Sequence, residues 1–174
     1  MKTLLTGIAG TGKSTIVKAL NEKGIAAMDL HDVPGLFFWQ DKKTGEKVEY
    51  TPGRSKEWFE TVDRLCDTDR LKTMLGQYDD IVMAGTTSGS NQNDFLSLFD
   101  KIILLQADAQ TLVQRMQTRT NKSGYGKSKG EQEDNIEWQK EYDPLLISLG
   151  AIPVSTEGNL DAVVSKIIEV IKAT

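Results

Sequence analysis

The chain has 174 residues, 39% hydrophobic and 26% charged, with a formal net charge of −4, which suits one domain with its own core and excludes a general attraction to nucleic acid or to a membrane surface. The one cysteine, Cys66, rules out an internal disulfide and suits a reducing compartment, where it reads as core filler or as a reactive thiol. No run approaches the roughly 20 apolar residues of a membrane span, and Gly7 and Gly10 interrupt the first apolar stretch as no signal peptide would, so the expected location is cytoplasmic.

Lys2 to Thr6 reads as the first strand. It runs into Gly7-Ile8-Ala9-Gly10-Thr11-Gly12-Lys13-Ser14, a complete G-x-x-x-x-G-K-[ST] pattern, and Ile16, Val17 and Leu20 then follow at helical spacing to about Lys23. Three glycines let successive backbone N–H groups converge on one point, and the helix that follows adds the positive end of its dipole. An anion belongs there. Lys13 would reach the β- and γ-phosphates of a nucleotide and Ser14 would hold Mg2+ through its hydroxyl, with Gly7, Gly10, Thr11, Gly12 and Thr15 completing the nucleotide-binding set. The plain alternative is a glycine-rich turn that caps a helix.

Gly24 stops the first helix, and Ile25-Ala26-Ala27-Met28, closed by Asp29, reads as a second strand buried on both faces. A β-α-β order predicts parallel strands joined by a right-handed crossover. From Asp29 to about Gly76 the pattern changes, and no strand that the main sheet needs is visible there. Phe37-Phe38-Trp39-Gln40 and Lys47-Val48-Glu49-Tyr50 flank a glycine-containing turn and predict a hairpin, which Thr51-Pro52-Gly53 breaks. Ser55 to about Leu65 and Asp67 to Leu75 read as helices. Ile81 to Ala84 is the third strand, followed by Gly85-Thr86-Thr87-Ser88-Gly89-Ser90 and by a short helix opening at Asn91. Lys101 to Leu105 is the fourth strand, and a helix over Ala109 to Gln117 follows it. Arg119 to Gly130 holds Arg119, Lys122, Lys127 and Lys129 with no acid among them and reads as a mobile basic flap. Glu131, Glu133 and Asp134 open the next helix at its positive end, Ala151 to Val154 is the fifth strand, and Leu160 to Ile171 is a final amphipathic helix. Strands alternating with helices predict a doubly wound α/β fold with a five-stranded parallel sheet of the P-loop NTPase type.

Two branches of phosphate-loop proteins fit poorly. Motors and helicases usually end an apolar strand in an acid, whereas the third strand here ends in Ala84-Gly85. GTPases read guanine with Asn-Lys-x-Asp, and here Asn121-Lys122 is followed by Ser123-Gly124. With the phosphate loop first, an insertion after strand two, a glycine turn after strand three, an Arg-x-x-x-Arg before a flap and a terminal β-α unit, the chain resembles the nucleoside-monophosphate, shikimate and dephospho-coenzyme-A kinase group, including small bacterial adenylate-kinase-like ATP-binding members. Only the phosphate loop is specific alone; the rest persuades through its order. The resemblance implies one kinase domain, with a core of residues 1–29, 77–118 and 135–174, an acceptor-binding insertion over 30–76 and a lid over 119–134.

Members of that group commonly place Asp-x-Asp after strand two, where a carboxylate holds a magnesium water or takes the proton of the attacking hydroxyl. Here the string is Asp29-Leu30-His31-Asp32: the first acid is present, His31 stands at the second position, and Asp32 follows beside the acceptor. Asp29 as a strand-end turn residue and His31 as polar surface are the bland readings. Arg54 lies where the resembled kinases grip the acceptor's phosphate or carboxylate, with Arg64 a weaker choice because Asp63, Asp67 and Asp69 offer it ordinary partners. Trp39, Tyr50, Trp58 and Phe59 either line an aromatic acceptor pocket or form the insertion's own core. Arg115 and Arg119, four apart, are expected to meet the transferring phosphoryl group as the flap closes, or else they lie on a solvated helix face. Gly85, at the carboxyl end of strand three, stands where doubly wound sheets hold ligands. Ser155-Thr156-Glu157-Gly158 stands where the resembled kinases seat the adenine edge.

The resulting expectation is an ATP- and Mg2+-dependent kinase with Lys13, Asp29, Arg115 and Arg119 as its catalytic set. Its acceptor would be a nucleoside or nucleotide, or a metabolite of the shikimate or gluconate type. Neither nucleic acid nor membrane is expected as a partner, and the protein would be a monomer or a homodimer. A nucleotide-binding regulatory ATPase with no metabolite acceptor is the competing class; a kinase needs an open pocket with Arg54 facing Lys13, whereas a switch fills that space.

Overall fold

Strand β1 (Lys2–Thr6) feeds the phosphate loop and helix α1 (Lys13–Glu22), and β2 (Ala27–Asp29) is followed by a 3-10 turn at Leu30–Asp32. This computed structural model describes residues 1–120 and 124–173, so the Asn121-Lys122 pair singled out above lies outside the described residues. The inserted stretch comprises β3 (Phe37–Asp41), β4 (Lys47–Val48), α2 (Lys56–Thr61), β5 (Val62–Cys66) and α3 (Thr68–Leu75). The chain then continues through β6 (Ile81–Ala84), α4 (Gln92–Leu96), β7 (Lys101–Gln106), α5 (Ala109–Thr118), α6 (Lys129–Ser148), β8 (Ile152–Ser155) and α7 (Leu160–Lys172).

Five strands form a parallel sheet in the order β2-β6-β1-β7-β8. Successive side chains of a strand point to opposite faces, and here both faces are apolar because helices cover both. Leu4, Ile81, Met83 and Leu104 pack toward α3, α4, α5 and α6, while Leu5, Val82, Ala84, Ile103 and Leu105 pack toward α1 and α7. Leu4, Leu5, Ile103, Leu104 and Leu105 are fully buried, each worth about 1.5–3 kcal/mol of transfer free energy. The strand order reverses across β1, which puts the phosphate loop at the switch point, where such sheets bind ligands. Among the described residues no helix is long and apolar enough to cross a membrane.

The inserted stretch differs from its sequence reading in one respect. Ser55 to Leu65 is not one helix: α2 stops at Thr61, and Val62–Cys66 is the third strand of a separate antiparallel sheet, order β4-β3-β5. Its five residues pair with β3 from Phe37↔Cys66 to Asp41↔Val62. Those ladder bonds override a helical preference that no packing partner supports over so short a run. The small sheet is moored on the carboxyl edge of the large one, since Thr87 Oγ1 donates to the Arg64 carbonyl, Ser88 N–H donates to the same oxygen at 3.3 Å, and Asn91 Nδ2 donates to the Cys66 carbonyl at 2.6 Å. Asn91 flanks α4 as expected but spends its side chain on β5 and makes no capping bond to α4.

Candidate active site

The phosphate loop adopts the backbone that its glycines permit. Gly7, Gly10 and Gly12 have φ of 145°, 92° and 92°, and a Cβ on Gly7 would lie 2.5 Å from the Leu105 carbonyl oxygen. Thr11 Oγ1 donates to the Ile8 carbonyl at 2.8 Å and closes the loop from within. Lys13 folds back to donate to the carbonyls of Gly7 (2.6 Å) and Ile8 (3.0 Å). Burial pushes its ammonium down to about 7, Asp29 pulls the other way, and the cations Arg119 and Arg64 add to the depression. An anion in the loop would relieve all three cations. Ser14 Oγ donates to Asp29 Oδ2 at 2.5 Å, and Asp29 Oδ1 accepts from the backbone N–H of His31 and lies 3.0 Å from its Nδ1. Burial alone would raise the Asp29 carboxyl, but these hydrogen bonds from His31 and Ser14 outweigh it and hold the group at about 2. His31 is pushed down to about 4, mainly by burial, and its ring stacks on Phe37 at 5.1 Å.

Residues 9–16, Asp29, His31, Asp32, Arg64, Thr86, Arg115, Arg119 and Thr156 all border one cavity of about 1340 Å3, which runs from the phosphate loop under the small sheet. Gly7 and Gly85 sit behind its wall. A Cβ on Gly85 would meet Leu30 at 3.0 Å and Phe37 at 3.2 Å, so that glycine permits close packing, and its neighbour Thr86 faces the cavity. The two lid-side arginines part company. Arg115 donates to Thr156 Oγ1 (2.9 Å) and to the Thr156 carbonyl (2.8 Å), tying α5 to the loop after β8. Arg119 Nη2 donates to the Tyr125 carbonyl at 2.8 Å, with its Nε buried and unpaired.

At the far end Trp39, Tyr50, Trp58, Phe59 and Tyr125 pack ring on ring with centroids 5.1–6.4 Å apart. Trp39, Tyr50 and Phe59 pack together within the insertion and also border the cavity. Arg54 does not border it: its guanidinium lies 4.9 Å over the Trp58 ring. Arg64 does. β5 is a strand, so Arg64 stands opposite Trp39 in the ladder and shares its face, with the guanidinium 4.9 Å over Phe37. Its acidic sequence neighbours therefore do not pair with it, and no hydrogen bond or ion pair engages its side chain among the described residues. Only the strand assignment, invisible in the local sequence, could have raised Arg64 above Arg54.

Sequence reasoning also missed the inward face of α6, because that face is polar. Glu131, fully buried, completes a capping box with Ser128 and accepts from Tyr50 Oη, Gly53 N–H (2.9 Å) and Gly126 N–H (3.0 Å). One turn on, Asn135 pairs with the backbone of Ala9, its Oδ1 accepting at 3.1 Å and its Nδ2 donating at 3.0 Å. Farther along, Gln139 donates to the Ala107 carbonyl and Tyr142 Oη lies 2.7 Å from Thr6 Oγ1. One helix thus holds the insertion, the flap, the phosphate loop and the first strand. Spacings of three or four among buried polar residues are the signal that apolar periodicity overlooks.

Asp134, between Glu133 and Asn135, borders the cavity, and burial raises its carboxyl to about 6 against the pull of Lys56. A carboxyl whose folded pKa lies above its unfolded value destabilises the fold above that pKa and ceases to do so as pH falls toward about 4. Asp134→Asn is therefore expected to stabilise the protein near pH 7.5 by on the order of 1 kcal/mol, allowing for partial exposure, and to change it little near pH 4. Thermal melts at the two pH values test this; an equal shift at both refutes it.

The comparisons with known proteins agree with this architecture. Residues 4–136 match the AAA domain family. No curated protein matches the chain. Among solved structures, deoxyadenosine kinase from M. mycoides with bound dATP superposes with a TM-score of 0.59 at 13% identity, over 99% of this chain and 100% of that one. Shikimate kinase from Acinetobacter baumannii in complex with shikimate gives 0.59 at 19% identity, over 98% and 92%. The same deoxyadenosine kinase with products dCMP and dCDP gives 0.55 at 14% identity, over 98% of each chain. At these identities the superpositions speak for the fold, which is that of the P-loop small-molecule kinases. With well over half of its length matched by one family, the chain belongs to the AAA domain family.

Proposed function

We propose that the protein is an ATP-dependent small-molecule kinase. The observation that carries this reading is the open cavity joining the phosphate loop to the aromatic wall of the insertion, since a nucleotide switch with no acceptor has no use for such a space. The nucleotide's phosphates would occupy the loop N–H groups and Lys13, and the base would lie toward Arg115, Thr156 and Gly158. The acceptor would sit beneath Trp39, Tyr50 and Phe59. Ser14 and Asp29 offer an adjacent hydroxyl and carboxylate, an all-oxygen set that suits Mg2+ sharing its remaining positions with phosphates and water, and no group of three or more His, Cys, Asp or Glu offers a closed metal cage among the described residues. Bound there, Mg2+ would neutralise charge on the β- and γ-phosphates.

The residues' own contribution is positioning and charge. Lys13 and Arg119 flank the place where charge spreads over the transferring group, Arg64 stands on the acceptor side of it, and Tyr125 and the rings of the insertion exclude water. Asp29, held far below neutrality, serves there as a fixed negative charge and is a poor proton acceptor. ADP release from ATP·Mg across nucleosides, nucleoside monophosphates, shikimate and gluconate tests the proposal. One acceptor class is expected to raise the rate at least tenfold above the acceptor-free background, and a flat panel with demonstrable ATP binding refutes the kinase reading.

A further inference from the structure

Among the described residues, two charged side chains at the acceptor end have no hydrogen-bond or ion-pair partner. Arg64 borders the cavity, yet its guanidinium rests only on ring faces, 4.9 Å over Phe37 and 5.9 Å from Trp39, and makes no hydrogen bond or ion pair among the described residues. Phe37 stacks on His31, and His31 bonds Asp29, so this contact chain places Arg64 beside the phosphate-loop end of the acceptor space. Asp134 borders the same cavity from α6, where that helix packs on α2. It too has no hydrogen bond or ion pair among the described residues, because the nearby Lys56 is engaged by Glu137 at 2.5 Å. Both groups lie within electrostatic reach of Tyr125, whose ring meets Phe59 at 5.8 Å and Tyr50 at 6.1 Å. The wall between the two charges is therefore aromatic.

An unpaired guanidinium in a partly desolvated wall calls for an oxyanion, an unpaired carboxylate calls for a hydrogen-bond donor, and stacked rings call for a planar body. We infer, on the basis of the kinase reading above, that the acceptor is a nucleoside monophosphate whose base carries an exocyclic amino group, with Arg64 taking the phosphate and Asp134 the amino group. A neutral nucleoside or shikimate leaves one or both charges unpaired on closure. Uracil and thymine have a single ring N–H flanked by two carbonyl oxygens, which face a carboxylate unfavourably, whereas cytosine and adenine offer an amino donor and guanine offers two adjacent donors. In the reaction an anionic oxygen of the acceptor phosphate forms the new bond to the γ-phosphorus, and the bond from that phosphorus to the β–γ bridging oxygen breaks. Its electron pair leaves with ADP, so a nucleoside diphosphate forms and the attacking oxygen has no proton to lose.

The test measures ADP release from ATP·Mg with CMP, AMP, GMP, UMP and dTMP, with cytidine, adenosine and shikimate alongside, in the wild type and in Arg64→Gln, Arg64→Lys and Asp134→Asn. At least one amino-bearing monophosphate is expected to exceed UMP and dTMP by tenfold or more in kcat/KM, and to exceed its own nucleoside by more. Arg64→Gln is expected to raise the acceptor KM about 100-fold with the ATP KM within about threefold, Arg64→Lys to recover part of that loss, and Asp134→Asn, whose amide donates to a carbonyl, to shift preference toward UMP. A nucleoside or shikimate as the best acceptor overturns this inference while the kinase reading stands. A loss in ATP KM on Arg64→Gln overturns it by assigning the guanidinium to the donor's phosphates, and an unchanged base preference in a folded Asp134→Asn protein overturns the assignment of the amino group. A flat panel overturns both readings.

Discussion

Lys13→Ala is expected to lower acceptor-dependent ADP release by a factor of about a thousand or more while leaving the melting temperature of the nucleotide-free protein unchanged or slightly raised. The two halves have separate causes. The ammonium is the cation closest to the loop where phosphates would converge, and a preorganised charge at a transferring group is worth several kcal/mol in a site that excludes water. In the free protein the same ammonium is costly, since burial and two neighbouring cations push it down to about 7 and, among the described residues, its only bonds are to the Gly7 and Ile8 carbonyls. Removing it removes that cost. Steady-state rates at saturating ATP and a thermal melt without nucleotide measure both. A variant that keeps a tenth of the activity assigns phosphate neutralisation to other residues and refutes the placement of Lys13.

Glu131→Ala is expected to destabilise the fold by about 3–5 kcal/mol, the largest stability loss of any single side chain at the site. Burial would raise this carboxyl, yet hydrogen bonds from Tyr50, Gly53 and Ser128 hold it below its ordinary value, so four donors from two chain segments, Tyr50 and Gly53 of the insertion and Gly126 and Ser128 of the flap, depend on one group. Truncation leaves the buried Gly126 N–H and the half-buried Tyr50 and Ser128 donors unpaired. Glu131→Gln, which keeps the shape but turns an NH2 toward donors, should fall between wild type and alanine. Urea denaturation gives the values, and a loss below about 1 kcal/mol for the alanine variant shows that water replaces the carboxylate. Because Tyr50 and Gly126 hang on the same group, the glutamine variant should raise the acceptor KM more than the ATP KM.

The phosphate loop was legible because its chemistry is local. Converging N–H groups need glycines at fixed offsets, and Lys13 and Ser14 follow in sequence, so eight consecutive residues state the whole device. The large sheet was legible for a similar reason: strands covered on both faces read as short apolar runs, and alternation with helices leaves a parallel order as the natural solution. The acceptor end was not. In one dimension Arg64 ranks behind Arg54 because Asp63, Asp67 and Asp69 stand near it, but Val62–Cys66 pairs with β3, which turns Arg64 onto the face shared with Phe37 and Trp39 and leaves Arg54 on Trp58. Arg115 and Arg119 share a helical spacing, but the loop after β8 captures the first and the Tyr125 carbonyl the second.

The sequence by itself determined the glycine-rich loop with Lys13 and Ser14 and the parallel α/β sheet that presents it, because backbone conformation and hydrophobic periodicity act over a few residues. Only the tertiary structure decided which side chains face the same cavity from the other end. Arg64 on β5 and Asp134 on α6 come from distant segments, and their facing one cavity depends on strand register and on which side of α6 is turned inward, neither of which local residue preference carries.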